Sequence, residues 1–166
     1  MAQLNLSPPR AVVVHCSDSR FQAAFHDFIE NCLHLGPGEY TPLIVPGSAT
    51  ALGSLVQMQL PKNFKILTEQ LSLIFANHRG QSVEVAIIGH EDCRGQRFLA
   101  QKVAKFVPIP PNLTHRSEWL LAERIIREIA RLFVPSCSIR FFQACIGTGD
   151  CVFFKDALTG ERVWPR

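Results

Sequence analysis

The chain has little that would carry it to a membrane or a nucleic acid. No uninterrupted apolar run approaches the roughly 18 residues that a membrane span needs. The opening residues, with Ser7, Pro8 and Pro9, lack the apolar core of a secretory signal. Charged residues make up only 19% of the chain and the formal net charge is +3. Lys and Arg are scattered and form no dense basic run, so neither nucleic acid nor membrane is an expected partner. There is no internal repeat and no low-complexity segment. We therefore expect a soluble, cytoplasmic protein.

What is present suits a compact core. The 166 residues are 47% apolar, and a chain of this length buries roughly 70% of its unfolded surface as one domain. We expect a single domain over residues 1–166, with residues 1–9 flexible. The six cysteines, in a chain without a visible signal, point to metal binding or burial ahead of disulfides. Cys32 falls on the apolar face of a helical pattern and reads as core. Cys137, Cys145 and Cys151 flank or occupy late strand patterns and read the same way, with a Cys145–Cys151 pairing left open.

The apolar spacing alternates between strand and helix. Residues 11–15 form a short continuous apolar run closed by a histidine, as a strand buried on both faces does. Phe21, Ala24, Phe25, Phe28, Ile29, Cys32 and Leu33 then recur at helical spacing, capped by Asp18 or Ser19 and stopped by Gly36, Pro37 and Gly38. Residues 43–45 read as a short buried strand, and residues 48–60 as partly helical. Phe64, Leu67, Leu71, Ile74 and Phe75 mark a second helix ended by Gly80. The strand at 83–88 is followed by a helix to about Phe106, with Leu99, Val103 and Phe106 inward. Residues 107–111 form a stiff connector. Leu121, Ile125, Ile129, Leu132 and Phe133 mark another helix, 138–144 a strand, and 152–164 a terminal hairpin. This order predicts an α/β fold, a mainly parallel central sheet with helices on both faces and a terminal β-hairpin.

Two strands deliver soft metal ligands at their carboxyl ends. The first runs into Cys16-Ser17-Asp18-Ser19-Arg20; the second runs into Gly89-His90-Glu91-Asp92-Cys93. In a parallel sheet such ends open on the crevice where strand order reverses, so both motifs should face one site. Two thiolates and one imidazole suit Zn²⁺, which takes S and N donors in a tetrahedron and in catalytic sites keeps a position for water. Asp18 and Arg20, two and four residues after Cys16, fit either a group serving that crevice or a helix cap with a surface ion pair.

These two motifs resemble those of the β-class carbonic anhydrases, Cys-x-Asp-x-Arg and Gly-His-x-x-Cys. The likeness runs in order along most of the chain, to residues 156–160 at the last turn. It implies an α/β fold built on dimers or higher homo-oligomers. It implies Cys16, His90 and Cys93 as zinc ligands, with Asp18 and Arg20 as a catalytic dyad. The implied reaction is reversible hydration of CO₂ to bicarbonate by a zinc-bound hydroxide. Carbonyl sulfide or carbon disulfide hydrolysis, and a non-catalytic zinc-stabilised binding domain, are the alternatives.

The chain also departs from that pattern. Where the family carries Arg-Asn-Ala-Gly after its second strand, this sequence has Val45-Pro46-Gly47-Ser48, and Arg94 precedes Gly95 after the last ligand. These changes bear on the substrate pocket and the assembly. Among lesser candidates, His15 reads as core, Glu91 and Asp92 as dipole-favoured residues at a helix start. His26, His34, His78 and His115 read as surface or helix-face residues, and residues 147–150 as a turn.

Overall fold

The computed structural model describes residues 9–53, 60–104 and 115–165. Six strands form one mixed sheet in the order β2-β1-β3-β4-β5-β6. They are β1 (Ala11–His15), β2 (Tyr40–Ile44), β3 (Val83–His90), β4 (Cys137–Ile146), β5 (Val152–Asp156) and β6 (Arg162–Trp164). The first four pair in parallel, β5 pairs antiparallel with β4, and β6 antiparallel with β5. Among the described residues the α-helices are α1 (Gln22–Asn31), α2 (Pro61–Asn77), α3 (Arg94–Ala104) and α4 (His115–Ala130). The expected α/β architecture with its closing hairpin is the one found.

Central β1 is buried at every position, and β3 at every position but one, which is why their sequences run apolar without alternation. Val12, Val14, Val85 and Ile87 face a core closed by α2 and α4. Ala11, Val13, Ala86 and Ile88 face a second core, filled by Phe25 and Phe28 of α1. Phe28 stacks on Phe154 of the hairpin at 4.1 Å between centroids. An aromatic pair of this kind adds about 0.5–1.5 kcal/mol beyond its buried area. It ties the last strands to the first helix.

Four expectations need correction. Residues 43–45 are not a buried strand: β2 is the sheet's edge, Leu43 points in and Ile44 is 51% exposed. In α4 the buried line is Trp119, Ala122, Ile126 and Ala130, not 121, 125, 129, 132 and 133. Small Ala122 and Ala130 let the helix lie close on the sheet, while Ile125, Ile129 and Phe133 sit half-buried at its flank and Leu132 is exposed. His78 is fully buried, because it ends α2 against Thr41 of β2, with Nε2 3.5 Å from Oγ1. Cys151 is exposed beside the 148–150 turn; both it and Cys145 are free thiols.

The side chains of Leu99 and Val103, together with Phe106, the 107–111 connector, residues 54–59 and residues 1–8, lie outside the described residues. Among the described residues no helix is long and apolar enough to cross a membrane.

Candidate metal centre

Strand order reverses between β1 and β3: β2 lies on one side of β1, while β3 and β4 continue on the other. His15 and Ile88 are register partners across the parallel pair, so Cys16 and His90 leave the sheet at nearly the same level. The loop after β3 then returns Cys93 to them. Residues 77 positions apart in sequence thus meet, with the Sγ atoms of Cys16 and Cys93 at 3.6 Å. Cys16, His90 and Cys93 are all buried, and their ligand atoms lie within 4.8 Å of one another. They are the one such cluster among the described residues.

The local backbone is built to hold them. His90 Nδ1 lies 2.7 Å from the Glu91 carbonyl, so Nδ1–H donates and the Nε2 lone pair is left for the cluster. That Nε2 is buried and has no hydrogen-bond partner among the described residues, which fits a nitrogen able to serve as a metal ligand. Phe21 packs on the ring at 4.2 Å. Glu91 fastens the loop to β4: its N–H donates to the Ala144 carbonyl and its carboxylate accepts from Ile146 N–H. Its role is therefore structural.

The 45–48 turn closes the other side. Gly47 adopts φ +86°, a left-handed conformation that glycine takes without a steric cost, and directs its N–H to Cys16 Sγ at 3.4 Å. Gly95 packs against this turn so closely that a Cβ there would stand 2.8 Å from Gly47 N. The Arg94–Gly95 departure thus leaves a glycine where two backbones touch.

Electrostatics suit a cation. The Cys93 thiol beside it lets Cys16 ionise well below the usual thiol range. The Cys16 sulfur, with burial, holds the second proton on Cys93 far above it. Burial works against a charged His90, but the Cys16 sulfur and the Glu91 carbonyl outweigh it and keep the ring above its ordinary value. A metal ion inserted here would displace these protons and satisfy all three groups at once. The S₂N donor set fits.

Asp18 and Arg20 stand beside the cluster. Asp18 Oδ1 accepts from Arg20 N–H at 3.1 Å and Nε–H at 3.0 Å, and Oδ2 accepts from Nη2–H at 2.7 Å. Arg20 also reaches Asp92, through its carboxylate at 3.2 Å and its carbonyl at 3.1 Å. This guanidinium holds the Asp18 carboxyl down to about 2. Asp18 Oδ2 lies 3.9 Å from His90 Nε2. The cap and the ion pair are both formed, and they sit beside the Cys16–His90–Cys93 cluster instead of at a remote surface.

A cavity of about 170 Å³ adjoins the three ligands, walled by Gly47, Ser48, Thr50, Trp119 and Gln143 among others. Trp119 and Gln143 carry no motif and gave no sequence signal; only the tertiary fold brings them here. His15 is core as expected, its ring 5.2 Å from Phe25. Compared with known proteins, the chain matches no family model, no curated protein and no solved structure.

Proposed function

We propose that this chain is a β-carbonic-anhydrase-like zinc enzyme that converts CO₂ and water reversibly to bicarbonate. Cys16, His90 and Cys93 would hold the Zn²⁺, and Asp18 with Arg20 would serve the nucleophile. One observation carries this reading: Asp18 is clamped through both oxygens by Arg20, ionised, with Oδ2 3.9 Å from the free ligand nitrogen of His90. A purely structural S₂N site has no need of a carboxylate held ready beside it.

Zinc bound by these ligands would supply acidification of water, whose pKa a favourable site lowers from about 15.7 toward 7. Asp18, with Oδ2 turned toward His90, would accept a hydrogen bond from the attacking water and so orient its lone pair. Arg20 keeps Asp18 charged and keeps it from entering the ligand set itself. The cavity of about 170 Å³ suits a triatomic substrate and its hydrated product; it is well below the roughly 300–1,000 Å³ of pockets for drug-sized ligands. A reducing compartment, where thiolate ligands stay unoxidised, suits this ligand set and supports cytoplasmic placement.

The proposal includes a homodimer or higher homo-oligomer. Its support is an apolar groove of about 320 Å³ lined by Val45, Pro46, Ile66 and Phe98, the last two more than half exposed. Light scattering at micromolar concentration should give at least twice the chain mass of 18.6 kDa; a monomer would count against this part. For the reaction, initial rates with CO₂, carbonyl sulfide and carbon disulfide on zinc-replete protein should rank CO₂ first. Preference for a sulfur substrate would move the assignment to a related hydrolase. Zinc without turnover on any of the three would leave a zinc-stabilised scaffold.

A further inference from the structure

Ser48 stands where the resemblance to the carbonic anhydrases breaks down. It is 1% exposed, it lines the cavity beside the three ligands, and its Oγ has no hydrogen-bond partner among the described residues. A buried hydroxyl without a partner is costly and rare. Its backbone is held at φ +50°, a left-handed conformation uncommon for residues other than glycine, although His34, Asp92 and Asp150 of this chain share it. The turn over-determines that conformation. Ser48 N–H donates to the Val45 carbonyl at 3.1 Å, and Thr50 Oγ1 donates to the Gly47 carbonyl at 2.6 Å. The same turn gives its Gly47 N–H to Cys16.

The next polar side chain, Thr50, satisfies itself within the turn, whereas Ser48 does not. The hydroxyl is therefore available to whatever occupies the cavity. A hydroxyl both donates and accepts, so it can give its proton to an oxyanion oxygen or take one from an acid O–H. Bicarbonate carries both. A hydrogen bond to its charge is stronger than one to neutral CO₂, so the group discriminates in favour of the anion.

We infer that Ser48 is a substrate-binding residue, its hydroxyl anchoring an oxygen of bicarbonate within the cavity. This rests on the reaction proposed above and names one contact within it. Zinc-loaded parent, Ser48→Gly, Ser48→Ala and Ser48→Asn should be titrated with ¹³C-bicarbonate by NMR linewidth, and dehydration kcat and KM measured alongside zinc content and thermal midpoint. Ser48→Gly is the decisive variant, because glycine accepts the positive φ while losing the CH₂OH group, and Ser48→Ala, which loses the hydroxyl oxygen alone, controls for the missing Cβ. It should fold, keep its zinc and weaken bicarbonate about tenfold, which is about 1.4 kcal/mol. Ser48→Asn, tolerant of the left-handed region and carrying a donor, should recover most of the affinity.

Unchanged bicarbonate affinity in both Ser48→Gly and Ser48→Ala, with an active parent, would overturn this inference and leave the reaction standing. Loss of zinc in Ser48→Gly would overturn it too, by showing that the residue shapes the metal loop. A zinc-replete parent that neither binds bicarbonate nor hydrates CO₂ would sink both.

Discussion

Replacing Asp18 with Asn alters one oxygen of the site and almost nothing else. The amide oxygen can keep the Oδ1 contacts, from Arg20 N–H at 3.1 Å and Nε–H at 3.0 Å. What changes is Oδ2, which accepts from Arg20 Nη2 at 2.7 Å and faces His90 Nε2 at 3.9 Å. An NH₂ group there donates instead of accepting, and the charge is gone. Hydrogen bonds to charged groups contribute about 1.5–3 kcal/mol, so losing this one in the transition state should slow CO₂ hydration roughly ten- to a hundredfold. Stability should fall modestly, because Arg20 is 38% exposed but Asp18 only 10%, and the pair is bidentate. Zinc should stay near parental content, since all three ligands remain. Stopped-flow hydration with a pH indicator, on preparations of matched zinc content, reads the effect. If Asp18→Asn turns over as fast as the parent, Asp18 is only a cap and an ion-pair partner, and the dyad is refuted.

Other outcomes follow from the same geometry. Cys16→Ser and Cys93→Ser should each lose zinc by elemental analysis, whereas Cys32→Ser, half-buried against the hairpin, should keep it; full retention in both ligand variants would refute the ligand set. His78 gives a pH dependence independent of the metal. Its burial lowers the folded-state pKa below the ordinary 6.5, so the unfolded chain binds the proton more readily. Stability from this residue is thus complete above about 6.5 and falls as pH drops below it. Thermal midpoints of His78→Gln should decline less than the parent's between pH 7 and 5, and parallel curves would contradict this.

Much of the fold could be read from residue pattern because the two central strands are buried on both faces. Continuous Val, Ile and Ala in β1 and β3 leave few other structures. Their carboxyl ends carry the candidate ligands, so the parallel register brings Cys16 nearly level with His90. The α4 face was less legible. Its large residues suggested one stripe, but the deepest line uses Ala122 and Ala130, whose small size matters only against the sheet they approach. His78 looked like a surface or helix-face residue since nothing local announces that β2 will lie beneath it. The cavity wall was least legible of all. Trp119 arrives from α4 and Gln143 from β4, and neither sits in a spacing that marks a site.

Zinc content and CO₂ hydration, measured on one preparation before and after removal and return of the metal, decide whether this chain is a zinc hydratase. About one zinc per chain is expected, with hydration above the buffer rate, its loss on chelation and its recovery on adding zinc back. Protein that takes up no zinc, or that carries one zinc per chain and hydrates CO₂ no faster than buffer, would contradict it.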